Sequence, residues 1–171
     1  MDRPLSRLQL AAAIIIIALC FGWAVNRMAV LAAVAEATAV ELTIRNLKSG
    51  IMGYVSVQLL KYDYSGIAGL ARANPVGVVI DPPPGYIGSV RQADPENIAP
   101  GQWYYDEDNA WLAYHVVNAD YLEQGAGGPA RIRMRLSLNY DDVNGNGAYD
   151  PGIDRAAGIS LQVLDDLNWK F

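Results

Sequence analysis

The sequence predicts an α+β protein: a long N-terminal helix, membrane-spanning over its first half, packed on a small antiparallel β-sheet of about four strands. Three observations predict it. An uncharged, proline-free apolar run extends from Leu10 to Val25. A helical pattern continues behind it to about Lys61, with no proline between Pro4 and Pro75. The rest of the chain carries short β-type runs broken by Gly-, Pro- and Asp-rich turns. The chain therefore divides into an N-terminal flank and span (1–27), an amphipathic continuation of the same helix (28–61) and a β-rich globular part (62–171).

The span is read from RPLSRLQLAAAIIIIALCFGW, Arg3 to Trp23. With Leu8 and Gln9, the apolar run approaches the roughly 17–25 residues that cross a bilayer as a helix. Arg3 and Arg7 flank it on the N-terminal side, which favours an N-in, C-out orientation. The competing reading is a cleaved signal, whose apolar core covers only about 7–15 residues before a small-residue cut site. Here the apolar character runs on through Phe21, Trp23 and Val25, and the Ala-x-Ala-like site Ala33-Val34-Ala35 comes late, in helix-forming sequence. The anchor reading is preferred.

Beyond the span, Val40, Ile44, Leu47, Ile51 and Val55 recur at the spacing of one helix face. Glu41, Arg45 and Lys48 share another face, and Glu41 to Arg45 is a favourable i,i+4 pair. Gly50 and Gly53 weaken the helix without necessarily ending it. A single helix from Leu8 to Lys61 would be about 80 Å long at 1.5 Å per residue, with its first third in lipid and the rest lying on the soluble part.

A helix that is half membrane span and half amphipathic, ahead of a small β-rich domain, resembles the type IV pilin and type II secretion pseudopilin family. Members carry a leader ending in Gly, then Phe or Met, three residues and Glu, ahead of the apolar run. Arg3-Pro4-Leu5-Ser6-Arg7-Leu8-Gln9-Leu10 falls into that frame without a gap. Pro4 stands at the Gly before the cut, Leu5 at the first mature residue and Gln9 at the Glu. Val25-Asn26-Arg27 resembles the family's Leu-Pro-Arg, with Asn26 in place of the proline. The departures have physical consequences. Proline fixes φ and lacks an amide where the processing peptidase meets a permissive glycine, so poor or no cleavage is expected. The family's Glu pairs with a neighbouring subunit's free amine in an apolar core, where a buried charge needs a partner. Gln9 supplies no such charge and is less costly to bury. The resemblance implies a minor pilin or pseudopilin-like component of a type IV pilus or type II secretion system. Its partners would be other pilin-like subunits, met through the N-terminal helix. Its location would be the bacterial inner membrane, single-pass and N-in, with the C-terminal domain in the periplasm or an extracellular filament.

Beyond Arg27 lie 17 of the 18 acidic residues and 10 of the 13 basic ones. That acidic balance argues against nucleic acid as a partner. The single cysteine, Cys20, sits within the apolar run, so no intramolecular disulfide forms and cysteine usage is silent about redox compartment.

In the globular part, NPVGVVI (74–80) reads as a short strand or extended segment, and DPPPGYIG (81–88) as a stiff connector. GQWYYDEDNAWLAYHVVNAD (101–120) reads as a hairpin, with two aromatic runs flanking an acidic turn at Asp106 to Asn109. Trp103, Tyr104, Tyr105, Trp111 and Tyr114 are expected to fill the core face and cross-strand pairs rather than form a recognition patch. RIRMRLSLNY (131–140) alternates strictly. Ile132, Met134, Leu136, Leu138 and Tyr140 share one face and Arg131, Arg133 and Arg135 the other. The arginines are read as a solvated face matched to carboxylates, with a subunit or anionic contact face as the sharper alternative. AGISLQVLDD (157–166) supplies one more strand.

DVNGNGAYDPGID, Asp142 to Asp154, is the one motif with metal chemistry. Oxygen donors stand at positions 1, 3 and 5 (Asp142, Asn144, Asn146), Gly147 permits the turn at 6, the Ala148 carbonyl falls at 7 and Asp150 at 9. This is the first half of a calcium loop, in which hard oxygens converge on a hard cation. Position 12 is Ile153 rather than Glu, and Asp154, one residue late, is the substitute ligand. A structural calcium is expected; the competing reading is a polar Gly-Asn turn. No catalytic constellation is visible. His115, the only histidine, lies in a strand pattern without a companion ligand, and there is neither a phosphate loop nor a nucleophile motif. The rival to the pilin-like reading is a single-span anchor presenting a calcium-stabilised binding domain outside the cell.

Overall fold

A computed structural model describes residues 7–123 and 129–171. Helix α1 runs unbroken over Arg7–Leu60, 54 residues, or about 80 Å, passing through Asn26, Gly50 and Gly53. A short helix, α2 (Tyr64–Ala68), follows a tight turn and is capped by Asp63, whose carboxylate accepts from the Gly66 amide at 2.8 Å. Then come five strands: β1 (Tyr86–Val90), β2 (Trp103–Asp106), β3 (Trp111–His115), β4 (Arg131–Asp141) and β5 (Arg155–Val163). They form one sheet in chain order, antiparallel throughout except for the parallel pair β1–β2.

Two expectations are corrected. The sheet has five strands rather than about four, because residues 86–88 of the expected connector belong to β1, a short edge strand. Residues 74–80 are not a strand. Pro75–Val78 is a 3-10 turn in which the Asn74 side chain caps the Val76 amide at 3.0 Å and proline fits the first position, where its missing N–H is not needed.

The helix lies on one face of the sheet. Val40, Ile44, Leu47, Ile51 and Val55, the face expected from periodicity, are all buried. They join one core with Trp103, Tyr105, Leu112, Tyr114, Ile132, Met134 and Leu136. These strand residues share a face because the registers Trp103↔Tyr114, Tyr105↔Leu112, Leu112↔Met134 and Tyr114↔Ile132 align their parity. Trp103 and Tyr114 meet at 4.8 Å between ring centroids. The opposite face is also covered locally. Tyr104 and Ala113 pack with Ile98, backed by Val90, Ala93 and Trp111, which is why every residue of β2 is buried. The acidic hairpin turn is held by Asp106, 2 % exposed, which accepts from the Asp108 and Asn109 amides at 3.0 Å each and from Asn109 Nδ2 at 2.8 Å.

Candidate functional site

The N-terminal half of α1 is the largest feature that the fold leaves uncovered. Its most apolar stretch contains no buried residue. Leu10, Ile14 to Ile17, Leu19, Phe21, Trp23 and Val25 are all exposed, and Ala33 is the first buried position. By length and composition this helix is able to cross a membrane. The division of labour along α1 follows from the sequence. From Leu10 to Val25 it is apolar all round; beyond Ala33 it is apolar on one stripe, and its buried positions lie on that stripe. Cys20 is exposed on this half, and Gln9 lies on its exposed first turns. Pro4 and Leu5 lie outside the described residues.

What ties the exposed rod to the domain is a residue that sequence reasoning passed over. Glu36, on α1, accepts four hydrogen bonds: from Tyr114 Oη at 2.9 Å, the Val117 amide at 2.6 Å, the Asn118 amide at 2.8 Å and Asn118 Nδ2 at 2.7 Å. It is the first charged residue after Arg27, a signal that marks where the apolar run ends but not what receives the carboxylate.

The Asp142–Asp154 loop leaves the end of β4 and returns into β5. Asp142 accepts from the Gly145, Asn146 and Gly147 amides at 2.7, 3.3 and 2.8 Å. Gly145 and Gly147 adopt positive φ, 71° and 76°, where a side chain would be strained. Asn144 and Asn146 meet Asp150 through their amide nitrogens, each 2.6 Å from Asp150 Oδ2, rather than through the oxygens that the calcium expectation calls on. Asp154 faces elsewhere. It is buried and staples the loop's two ends, accepting from the Val143 amide at 2.9 Å and the Asp150 amide at 2.7 Å. Among the described residues no group of three or more His, Cys, Asp or Glu side chains is gathered for a metal. The donor set is nevertheless the hard-oxygen kind that suits calcium. Asn144 and Asn146 would present oxygens beside Asp150 only by turning their amides. Each of those oxygens now closes a local turn, on the Asn146 amide at 3.1 Å and the Ala148 amide at 2.8 Å.

Of the three arginines on this face, Arg133 is paired with a carboxylate. Arg133 binds Asp165 through its backbone amide, Nε and Nη2, the closest contact being 2.6 Å. Burial alone would push the Asp165 carboxyl up, but the Arg133 hydrogen bonds and charge outweigh it and hold Asp165 below the usual carboxylate range. Arg133 and Arg131 also lie over the Trp111 ring, 4.9 and 5.9 Å from its centroid, a cation–π geometry. Arg135 is exposed. His115 is a strand residue whose Nδ1 meets the Ile98 carbonyl at 2.5 Å. Of the aromatic residues expected on the core face, Trp103, Tyr105 and Tyr114 lie in the core under α1, while Tyr104 and Trp111 lie on the opposite face with Ile98.

No protein family, curated protein or solved structure matches the chain.

Proposed function

We propose that this chain is an accessory pilin-like protein, a minor pilin or pseudopilin-like component of a type IV pilus or type II secretion system. One observation carries the reading: a single continuous helix that is exposed and apolar from Leu10 to Val25 while its C-terminal half is built onto a small sheet. A rod held this way places the domain at a fixed height above the bilayer and offers its apolar half to neighbouring helices. Association in lipid then rests on close packing rather than on the hydrophobic effect. With Gln9 where the family has Glu, and Pro4 before the expected cut, an accessory position suits it better than bulk filament subunit. Arg3 and Arg7 orient it N-in, in the bacterial inner membrane.

The test is a photo-crosslinking amino acid at Ile16, used in native membranes, together with the intact mass of the protein. Adducts to other pilin-like subunits and a full-length mass beginning at Met1 or Asp2 are expected. A new N-terminus at Leu5 would make it a processed filament subunit instead. A cut near Ala35, or crosslinks to lipid alone, would overturn the pilin-like assignment.

The convergence of Asn144 and Asn146 on Asp150 favours a second reading, a single-span anchor presenting a calcium-stabilised binding domain. Crosslinks to lipid alone, combined with calcium binding by the loop, would select it.

A further inference from the structure

We propose that the aromatic segment around Trp169 and Phe171 docks into the headgroup layer of the membrane that α1 enters, giving the domain a second lipid contact; this rests on the reading of α1 as a span. Because α1 is continuous, height above the membrane follows from its rise. Ala33, where the domain begins, is six residues beyond Arg27, or about 9 Å. The headgroup layer on one side of a bilayer is roughly 5–7 Å deep. The base of the domain therefore sits at the membrane surface, not far above it.

The segment is at that base and is held there. Leu167, Trp169 and Phe171 face Val34, Ala37 and Thr38 of α1 across an open groove of about 310 Å³. The Lys170 amide donates to the Tyr121 carbonyl at 2.7 Å and the Glu123 amide to the Asn168 carbonyl at 2.8 Å. Trp169 and Phe171 stack nearly parallel, 6.2 Å between centroids, and Phe171 is 63 % exposed. Val117, whose amide Glu36 holds, is exposed, and so are Met28 and Leu31 on the turns of α1 before Glu36. Aromatic rings are the side chains that settle at the bilayer–water boundary. Of the carboxylates near this face, Glu36 is satisfied by its four donors, Glu41 by Arg45 at 2.6 Å and Glu123 by Lys170 at 3.2 Å, while Asp120 and Asp166, next to Tyr121 and Leu167, are exposed to water. Lipid is the occupant that continuity selects, since the patch is the upward extension of the helix surface that lipid would already cover.

The test uses the full chain in phosphatidylcholine vesicles and collision accessibility of nitroxide labels to oxygen and to a water-soluble nickel reagent. One label goes on native Cys20, a second on F171C and a third on I80C, the last two with Cys20→Ala. F171C leaves Trp169 in place. Ile80, 99 % exposed, borders α1 near Gly50, about 25 Å farther along the helix than Ala33, and serves as the aqueous reference. The oxygen-to-nickel ratio should be highest at Cys20, lowest at position 80, and at position 171 several-fold above position 80. A ratio at position 171 equal to that at position 80, with Cys20 in lipid, would overturn the docking and leave the span standing. A label at position 171 shielded from both reagents would overturn it in favour of a protein neighbour. A Cys20 label as open to nickel as position 80 would remove both the span and the docking.

Discussion

The Tyr114 hydroxyl donates to Glu36 at 2.9 Å, joining the middle of α1 to the end of β3. The same carboxylate takes the Val117 and Asn118 amides, so it fixes both the strand and the chain that leaves it. Replacing Glu36 with Ala leaves these donors without their acceptor. A hydrogen bond to a charged group contributes about 1.5–3 kcal/mol, so E36A should lower unfolding free energy by about that amount. It should also remove hydrogen-exchange protection from the amides of Val117 and Asn118. Urea unfolding in micelles and exchange measurements check it; unchanged protection at both amides would show that the anchor is not formed.

Tyr114 supplies a pH signature. Burial first, then the Glu36 hydrogen bond, push its phenol well above the ordinary value. An unfolded tyrosine ionises near about 10. The stabilisation is therefore fully present below about pH 10 and is lost as pH rises beyond it, because the unfolded chain releases its proton first. Y114F should flatten that alkaline loss in a urea titration.

Asp165 works in the opposite direction. Its folded value lies below that of an unfolded Asp, about 3.9, once the Arg133 hydrogen bonds have overcome burial. The stabilisation is present above about pH 4 and disappears as pH falls toward the folded value, because the unfolded state takes up its proton first. D165N should be less stable than wild type near neutrality by about 1–3 kcal/mol, with a shallower decline between about pH 4 and pH 2. Equal acid slopes for the two proteins would contradict the pairing.

The loop reading is tested by metal addition. If Asn144, Asn146 and Asp150 turn their oxygens to calcium, a hundredfold excess of calcium over its dissociation constant stabilises the folded state by about 2.7 kcal/mol. D150A should abolish that gain. D142A should lower stability with or without calcium, because Asp142 holds three backbone amides. Titration calorimetry showing no heat, with no change in unfolding midpoint, would reduce the loop to a self-bonded turn.

The fold is most legible in the sequence where a period repeats. Five apolar positions on α1 were enough to place its buried face, and the strict alternation of Ile132, Met134 and Leu136 placed β4, because each turn or pleat reports the same side. The fold is least legible where structure depends on backbone pairing alone. β1 is a short edge strand with Gly88 at φ 103° and no clear alternation of residue type, so only its partner β2 defines it. Residues 75–78 look β-prone by composition, yet the Asn74 cap and Pro75 bend them into a turn. Within the candidate site, the spacing of Asn144, Asn146 and Asp150 marked a turn of polar side chains but not which of their atoms meet. The staple role of Asp154 depends on amides from both ends of the loop, which spacing does not rank. Glu36 was illegible for a plainer reason: its donors lie 78 to 82 positions away.

Gly50 and Gly53 look alike in sequence and are predicted to respond in opposite ways. At Gly53 a Cβ would meet nothing within 4 Å, and the position is exposed in the middle of a helix. G53A should therefore stabilise, by about 0.5–1 kcal/mol, through the lower backbone entropy of alanine. At Gly50 a Cβ would lie 2.6 Å from Val79 Cγ1 and 3.3 Å from its Cβ. The same helix gain is available there, but the segment carrying Val79 must move off α1, and overpacking of this kind costs about 1–3 kcal/mol. G50A should be destabilising by about 1 kcal/mol net, and V79A in the same chain should relieve it. Urea unfolding of the three variants decides the matter. Equal stabilisation by G50A and G53A would mean that the segment after Pro75 does not rest against the helix, and that Gly50 has no packing role.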